Sequence, residues 1–371
     1  MDWDVVVVGA GVVGLACAER LARAGRSVLV AERHARFGQE TSSRNSQVIH
    51  AGMYYPTGSL KATLCVRGNA SLYAWCERHG VAHRRTGKYI VAPTADGERE
   101  LDAILARGRA NGVAGLAKVS GAQVEAEEPC VIAHAALFSP STGIVDAHEL
   151  MASLAAAARA HGCDFAYEHA LVAADRAASA WELRFGDAAG AMSTIGAARV
   201  VNAAGLDADV VAALPGLDLD AAGYRLRFAK GSYFRLRRPG FVRRLVYPIP
   251  FAHLAGLGVH VTLELDGGVR LGPDVEWLDG RDRDYAVDES KRDAFFAAAS
   301  SYLRGLRPED LAPDQSGIRP KLQRPGGELR DFVIAEESAR DLPGWVNLVG
   351  IESPGLTCAL EIAELVAALV G

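Results

Sequence analysis

Two rhythms of apolar and polar positions alternate along this chain, and the change between them marks its organisation. Val5–Val8 is an unbroken apolar run bounded by Asp4 and Gly9, the pattern of a strand buried on both faces of a parallel sheet. Val12–Ala24 follows with helical periodicity, and Gly25 supplies a C-terminal stop. Ser27–Ala31 is a second apolar strand that closes on Glu32. The three elements make a crossover unit of about thirty residues, the length expected of a βαβ pair.

His34–Gly58 breaks the rhythm with a long polar loop rich in Ser, Thr, Asn and Gly. Its embedded Val48, Ile49, Met53, Tyr54 and Tyr55 predict that it is ordered against something. Helices are expected over Leu60–His79, Asp96–Asn111, Asp146–His161 and Asp288–Arg304. Strands are expected at Lys88–Ala92, Phe165–Ala173, Trp181–Phe185 and Arg199–Asn202, the last closing on Ala203, Ala204 and Gly205. From Tyr224 to Pro273 the chain reads as mostly β, with alternation over Val259–Leu265 that places His260 on a strand. The end of the chain reads as a strand (Trp345–Val349), a turn (Gly350–Pro354) and a helix (Leu356–Val370).

Gly9-Ala10-Gly11-Val12-Val13-Gly14 sits between the first strand and its helix with G-x-G-x-x-G spacing. Gly9 permits the tight turn, Gly11 lets the backbone approach a pyrophosphate, and Gly14 allows close packing of helix on strand. The helix N-terminus then meets the phosphates with its free N–H groups, and Glu32 ends the second strand where a carboxylate accepts from ribose hydroxyls. A dinucleotide site follows, and an acid at Glu32 disfavours a phosphorylated ribose by like-charge repulsion. The motif by itself leaves FAD and NAD open. Its place on the first strand, with a terminal strand and helix returning at Gly350–Thr357, favours FAD. The turn Glu352-Ser353-Pro354-Gly355-Leu356-Thr357 opens that last helix toward a negatively charged ring edge.

The expected fold is therefore a composite α/β (α+β) one. A Rossmann-like FAD-binding domain spans 1–85, 143–215 and 315–371, and a mixed or antiparallel β-sheet substrate domain is inserted over 86–142 and 216–314. A length of 371 residues suits about two domains. Half the residues are hydrophobic, and a net charge of −5 argues against a nucleic-acid partner. Basic residues gather over Tyr224–Arg244, which reads first as a solvated strand face and second as a site for a membrane surface or an anion. Six cysteines, without a C-x-x-C pair or a matching His cluster, read as reduced thiols of a cytoplasmic protein rather than as zinc ligands or disulfides. Glu19, Arg20 and Arg23 interrupt Val5–Ala24, so that stretch is read as the βα unit and not as a signal or membrane segment.

The stretch Thr41-Ser42-Ser43-Arg44-Asn45-Ser46-Gln47-Val48-Ile49-His50-Ala51-Gly52-Met53-Tyr54-Tyr55 resembles the second cofactor segment of L-2-hydroxyglutarate dehydrogenases and oxidases. So do Gly58–Ala62, Leu64–Asn69, Leu257-Gly258-Val259-His260, Asp266–Gly268, Gly272-Pro273, Gly317–Leu322 and Gly350–Glu361. These enzymes belong to the D-amino-acid-oxidase-like flavoproteins, alongside glycine oxidases and glycerol-3-phosphate dehydrogenases. Gln47 departs from the pattern, standing where a small residue, commonly glycine, is expected.

The resemblance implies an FAD-dependent oxidation of a 2-hydroxy acid, with non-covalent FAD held by Gly9, Gly11, Gly14, Glu32, Arg33, Thr41, Ser42, Ser43, Asn45 and His50. It further implies cofactor contacts from the backbone of Val172, from Ala204 and Gly205, from Arg319, and from Gly350, Ser353, Pro354, Gly355, Leu356 and Thr357. Arg319 is the expected clamp for the substrate carboxylate, since a guanidinium grips a carboxylate with two parallel hydrogen bonds. Lys321 is the candidate for a second carboxylate, beside the plainer reading of a surface lysine. His260 is the favoured base and His50 the alternative, because a neutral imidazole suits proton abstraction near neutral pH. Tyr54 or Tyr55 is expected to reach the substrate. An amino-acid (glycine or D-amino acid) oxidase, a glycerol-3-phosphate dehydrogenase and a non-catalytic flavin-binding module stay open as alternatives. The acceptor of the electrons stays open too, between oxygen, a quinone and a carrier protein, with peripheral contact at the inner membrane face as a second setting beside the cytoplasm.

Overall fold

The structure is a computed structural model that describes residues 2–177, 180–249 and 258–371. Leu257, part of one block of the resemblance, lies outside the described residues. The chain divides into two compact units. The first comprises Met1–Ser43, Ala147–Phe228 and Arg319–Gly371, and the second Arg44–Asp146 and Ala229–Ile318.

In the first unit the strand Trp3–Val8 is central. It runs parallel to Val28–Glu32 on one side and to Met192–Asn202 on the other. Asp164–Tyr167 extends the sheet in parallel beyond Val28–Glu32, and Leu342–Val349 runs parallel to Met192–Asn202. Val5, Val6 and Val7 are fully buried. Their burial on both faces explains why the run lacks alternation, and each such side chain contributes about 1.5–3 kcal/mol. Three helices cover this core: Val12–Arg23 packs on both Ala147–Ala160 and Gly355–Val370. The start of Met192–Asn202 turns away to pair with the hairpin His169–Ala177 and Ala180–Asp187. The register of that hairpin slips between Leu171 and Ala173, which leaves Val172 as the bulged, exposed residue.

In the second unit the strand Lys88–Ala92 lies parallel to Leu245–Pro248 and antiparallel to Ala135–Ser139. Its five residues are all buried. Tyr89 and Val91 enter one apolar cluster with Phe234, Tyr247 and Tyr302, while Ile90 and Ala92 enter another with Leu101 and Ile104. The strand is therefore dry on both faces, and Lys88 is carried inside with it.

Residues 44–85 pack in the second unit. Val48–Ile49 pairs with Gly143–Val145, which also pairs with His83–Arg84. Asn69 Nδ2 ties the helix Leu60–His79 to the carbonyls of His50 and Ser141. That helix has the bounds its pattern predicts, because the Ser59 hydroxyl caps Ala62 N–H and Gly80 takes the left-handed conformation at the far end. His260 is not on a strand. Pairing covers only Val261–Leu263, and the His260 carbonyl instead accepts from Gly272 N–H at 2.9 Å.

The basic stretch is internally neutralised along much of its length. Arg225 pairs with Asp220, Lys230 with Asp284, Arg235 with Glu264 and Asp314, and Arg244 with Glu127. Among the described residues, no helix is long and apolar enough to cross a membrane.

Gln47, where glycine is expected, has φ of 56°. Asn45 Oδ1 accepts from its N–H at 2.8 Å, and its carbonyl accepts from Val145 N–H at 3.0 Å. The left-handed conformation costs a non-glycine residue about 1–2 kcal/mol, whereas glycine costs roughly 0.5–1 kcal/mol in lost chain entropy. Gln47→Gly should therefore raise stability by up to about 1 kcal/mol, and Gln47→Val should lower it. Urea unfolding of the three proteins checks the order, and a Gly variant less stable than the natural chain would defeat the strain argument.

Candidate active site

The glycine loop of the first unit is built by close approach. Gly9 has φ of 104°, and a Cβ there would lie 2.6 Å from the Ala203 carbonyl oxygen. A Cβ on Gly14 would drive into the Gly9 carbonyl oxygen, and one on Gly11 would meet Ser42 Oγ at 2.9 Å. Gly9 and Gly14 are thus demanded by backbone packing, while at Gly11 the Ser42 side chain would have to shift. Ser42 Oγ accepts from Val12 N–H at 3.0 Å, so a distant segment caps the helix that Gly11 leaves uncapped. The first turn of that helix carries no acid, which leaves its positive end suited to a pyrophosphate.

Glu32 is buried, with Oε2 accepting from Ala10 N–H at 2.8 Å and Oε1 from His34 N–H at 2.9 Å. A carboxylate has about four acceptor positions, so acceptor capacity remains for ribose hydroxyls. Arg33 pairs with Glu40 at 2.5 Å and also with Asp207, which fixes the rim of the loop. Ser43 Oγ donates to the Glu40 carbonyl, a local turn bond. Gly205 has φ of 58° and opens a single helical turn right after Ala204. These features fit FAD: a helix N-terminus free of acids, a glycine surface that any side chain would fill, and a buried acid at the end of the second strand.

At the far end of the chain, Gly350 has φ of 71° and sits so close to Leu322 that a Cβ would lie 2.6 Å away. The Gly355 N–H donates to the Glu352 carbonyl at 2.6 Å and starts the helix Gly355–Val370, which Pro354 does not cap with its side chain. Thr357 is fully buried. Lys321 is no surface lysine. It is buried, and its Nζ lies 2.6 Å from Glu352 Oε2. A lysine already neutralised by an acid is poorly placed to hold a second substrate carboxylate. Arg319, two residues earlier on the strand Leu311–Lys321, is half-buried.

In the second unit, Asn45 serves its own turn, and its carbonyl accepts from Gln315 Nε2. His50, His260 and Tyr54 come together there around two residues that pattern reading passed over, Lys88 and Tyr247. Lys88 Nζ lies 4.7 Å from the centre of the Tyr54 ring and 4.4 Å from that of Tyr247. His260 stacks on Tyr247 with ring centres 3.7 Å apart, and its Nδ1 lies 3.0 Å from the Gly258 carbonyl. With Nδ1–H donating to that carbonyl, Nε2 keeps the basic lone pair. Tyr55 is buried, and its carbonyl accepts from Asn111 Nδ2, so Tyr54 is the tyrosine of the cluster. The signal for Lys88 was a lysine opening an otherwise apolar strand, Lys88-Tyr89-Ile90-Val91-Ala92, after Gly87.

Burial, then Lys88, then His260 push His50 down to about 3, so it is a neutral imidazole at physiological pH. Its conjugate acid is strongly disfavoured, so His50 is poorly suited to hold a proton. Burial pulls Lys88 down to about 7. Between about pH 7 and the ordinary lysine range the unfolded chain binds more protons at this position than the folded one, so stability rises with pH across that window. Lys88→Met should therefore raise the unfolding temperature most at pH 6, with the gain shrinking as pH approaches 10.5. Calorimetry from pH 6 to 10.5 tests this; a variant less stable than the natural protein at pH 6 would show that the ammonium is compensated. Gly14→Ala should yield protein without a yellow chromophore, since helix and strand would be forced apart at the phosphate turn. Retained flavin absorbance in that variant would count against the loop assignment.

A family profile described as FAD dependent oxidoreductase matches residues 4–369. The L-2-hydroxyglutarate dehydrogenase of Arabidopsis thaliana mitochondria is 39% identical, over 98% of this chain and 82% of the relative. The mitochondrial enzyme of the same name from Homo sapiens is 28% identical, over 99% and 88%. Among solved structures, L-alpha-glycerophosphate oxidase from Mycoplasma pneumoniae, with FAD bound, shares the fold at a TM-score of 0.87 and 23% identity, covering 99% of this chain and 94% of that one. Glycine oxidase from Geobacillus kaustophilus shares it at 0.78 and 22%, with 99% and 94% covered. The chain belongs to the D-amino-acid-oxidase-type family of FAD-dependent oxidoreductases.

Proposed function

We propose that the enzyme oxidises L-2-hydroxyglutarate to 2-oxoglutarate. The observation that carries the reading is 39% identity, across nearly the whole chain, to a relative named for that reaction. A cluster in the second unit, with two imidazoles and an ammonium around tyrosine rings, supports it chemically.

The reaction removes two electrons and two hydrogens from the carbinol, one hydrogen leaving carbon as hydride and the other leaving oxygen as a proton. Bound FAD supplies the two-electron acceptor. His260 Nε2 takes the hydroxyl proton, with Nδ1 steadied by the Gly258 carbonyl and the ring held by its stack on Tyr247. His50, kept neutral by burial, hydrogen-bonds without competing for that proton. Arg319 holds the carboxylate next to the carbinol with a paired, charge-assisted contact. Holding the reacting carbon in register accounts for much of the acceleration. The electron acceptor would be oxygen, a quinone or a carrier protein, and the setting we propose is the cytoplasm. Acid pairing along the basic stretch leaves little excess charge to attract a membrane surface.

Anaerobic addition of L-2-hydroxyglutarate should bleach the oxidised flavin band, while the D enantiomer and glycine should not. His260→Gln should lower kcat by about 10²–10⁴-fold, as loss of a general base does. Arg319→Lys should raise KM, because an ammonium cannot make the paired contact. A flavin band that responds to glycine or glycerol 3-phosphate in place of the hydroxy acid would overturn the substrate.

A further inference from the structure

Lys88 is the one charged side chain of a strand that is dry on both faces. It is 1% exposed. Among the described residues no carboxylate pairs with it; its surroundings include the rings of Tyr54 and Tyr247, together with Cys65 and His50. Among the described residues, the buried hydroxyls of Tyr54 and Tyr247 have no hydrogen-bond partner. Among the described residues, one ammonium and two hydroxyls therefore lie inside the second unit with donor capacity unspent. A buried donor without a partner costs free energy, and a buried ammonium without a counter-charge costs more.

We propose that Lys88, with the Tyr54 and Tyr247 hydroxyls, forms the subsite for the second carboxylate of a dicarboxylic 2-hydroxy acid. The inference rests on the substrate class argued above and assigns the residue that selects it. A carboxylate suits this group of donors, since it brings one negative charge and up to four acceptor positions. A phosphate would bring nearly two charges to a single ammonium, with His50 neutral beside it. Lys321, the other lysine considered for this task, is already held by Glu352 at 2.6 Å. The rings of Tyr54 and Tyr247 keep the Lys88 ammonium in place through cation–π attraction until a carboxylate arrives.

The test compares L-2-hydroxyglutarate with L-2-hydroxypentanoate, in which a methyl group replaces the second carboxylate. Steady-state rates are measured on the flavin-loaded natural enzyme and on Lys88→Met. The natural enzyme should prefer the dicarboxylate. In the variant, the ratio of kcat/KM values should fall by about 10- to 100-fold, the worth of a charged hydrogen bond. Tyr54→Phe and Tyr247→Phe should each lower the ratio by a smaller factor, and they carry the test if Lys88→Met does not retain flavin. An unchanged ratio in these variants, with the natural enzyme active on the dicarboxylate, overturns this inference alone. A natural enzyme that L-2-hydroxyglutarate does not reduce overturns the functional reading instead. Binding of glutarate, read from the flavin spectrum, then still reports on the subsite, and equal glutarate affinity in the natural and Lys88→Met proteins would sink it.

Discussion

The first unit depends on how closely a helix, a strand end and a turn can approach one another at Gly9 and Gly14. No side chain fits at either position: the Gly9 carbonyl blocks one and the Ala203 carbonyl the other. That tightness brings the end of Met192–Asn202 alongside the phosphate turn and sets the start of Val12–Arg23 against the strand it follows. The helix then presents unpaired N–H groups at a defined height, which is what a pyrophosphate needs. Ser42 completes the arrangement from outside the βαβ unit, since Gly11 has no side chain to cap its own helix. One steric constraint therefore sets the cradle, and the cradle determines which residues border it.

A second buried feature holds the neighbouring strand ends in register. Asn202 donates to Asn347 Oδ1 at 2.8 Å, Trp345 Nε1 donates to the same oxygen, and Asn347 Nδ2 donates to Glu337 Oε1. Tyr224 Oη also donates to Glu337, whose other oxygen takes Arg340. Each member satisfies the next, so the network stays buried without leaving an open donor or acceptor cost. It pins Leu342–Val349 beside Met192–Asn202, and the turn at Gly350 follows directly from that strand.

Legibility followed the range of the forces involved. The strand Trp3–Val8, the helix Leu60–His79 and the terminal helix depend on local pattern, caps and glycines, and a sequence displays all three. Gln47 could be flagged only through family resemblance, yet its positive φ gives the flag a physical cause. His260 was read onto a strand because Val259–Leu265 alternates, whereas pairing extends only over Val261–Leu263. The fate of Lys321 depended on Glu352, thirty-one residues onward, and no spacing rule couples those positions. Lys88 was the hardest to read. Pattern analysis treats a lysine as solvent-seeking, and only the two-sided packing of its strand shows otherwise.

That last case bears on how the chemistry is arranged. A buried lysine with no acid beside it is a poor choice for stability, because apolar residues of similar volume would fill the space at lower cost. Its presence makes sense where a ligand supplies the missing charge. Burial first, and then the same ammonium, keep His50 neutral. When a carboxylate neutralises Lys88, part of the field that depresses His50 is removed. In the proposed subsite, carboxylate binding at Lys88 would therefore act on the neighbouring His50.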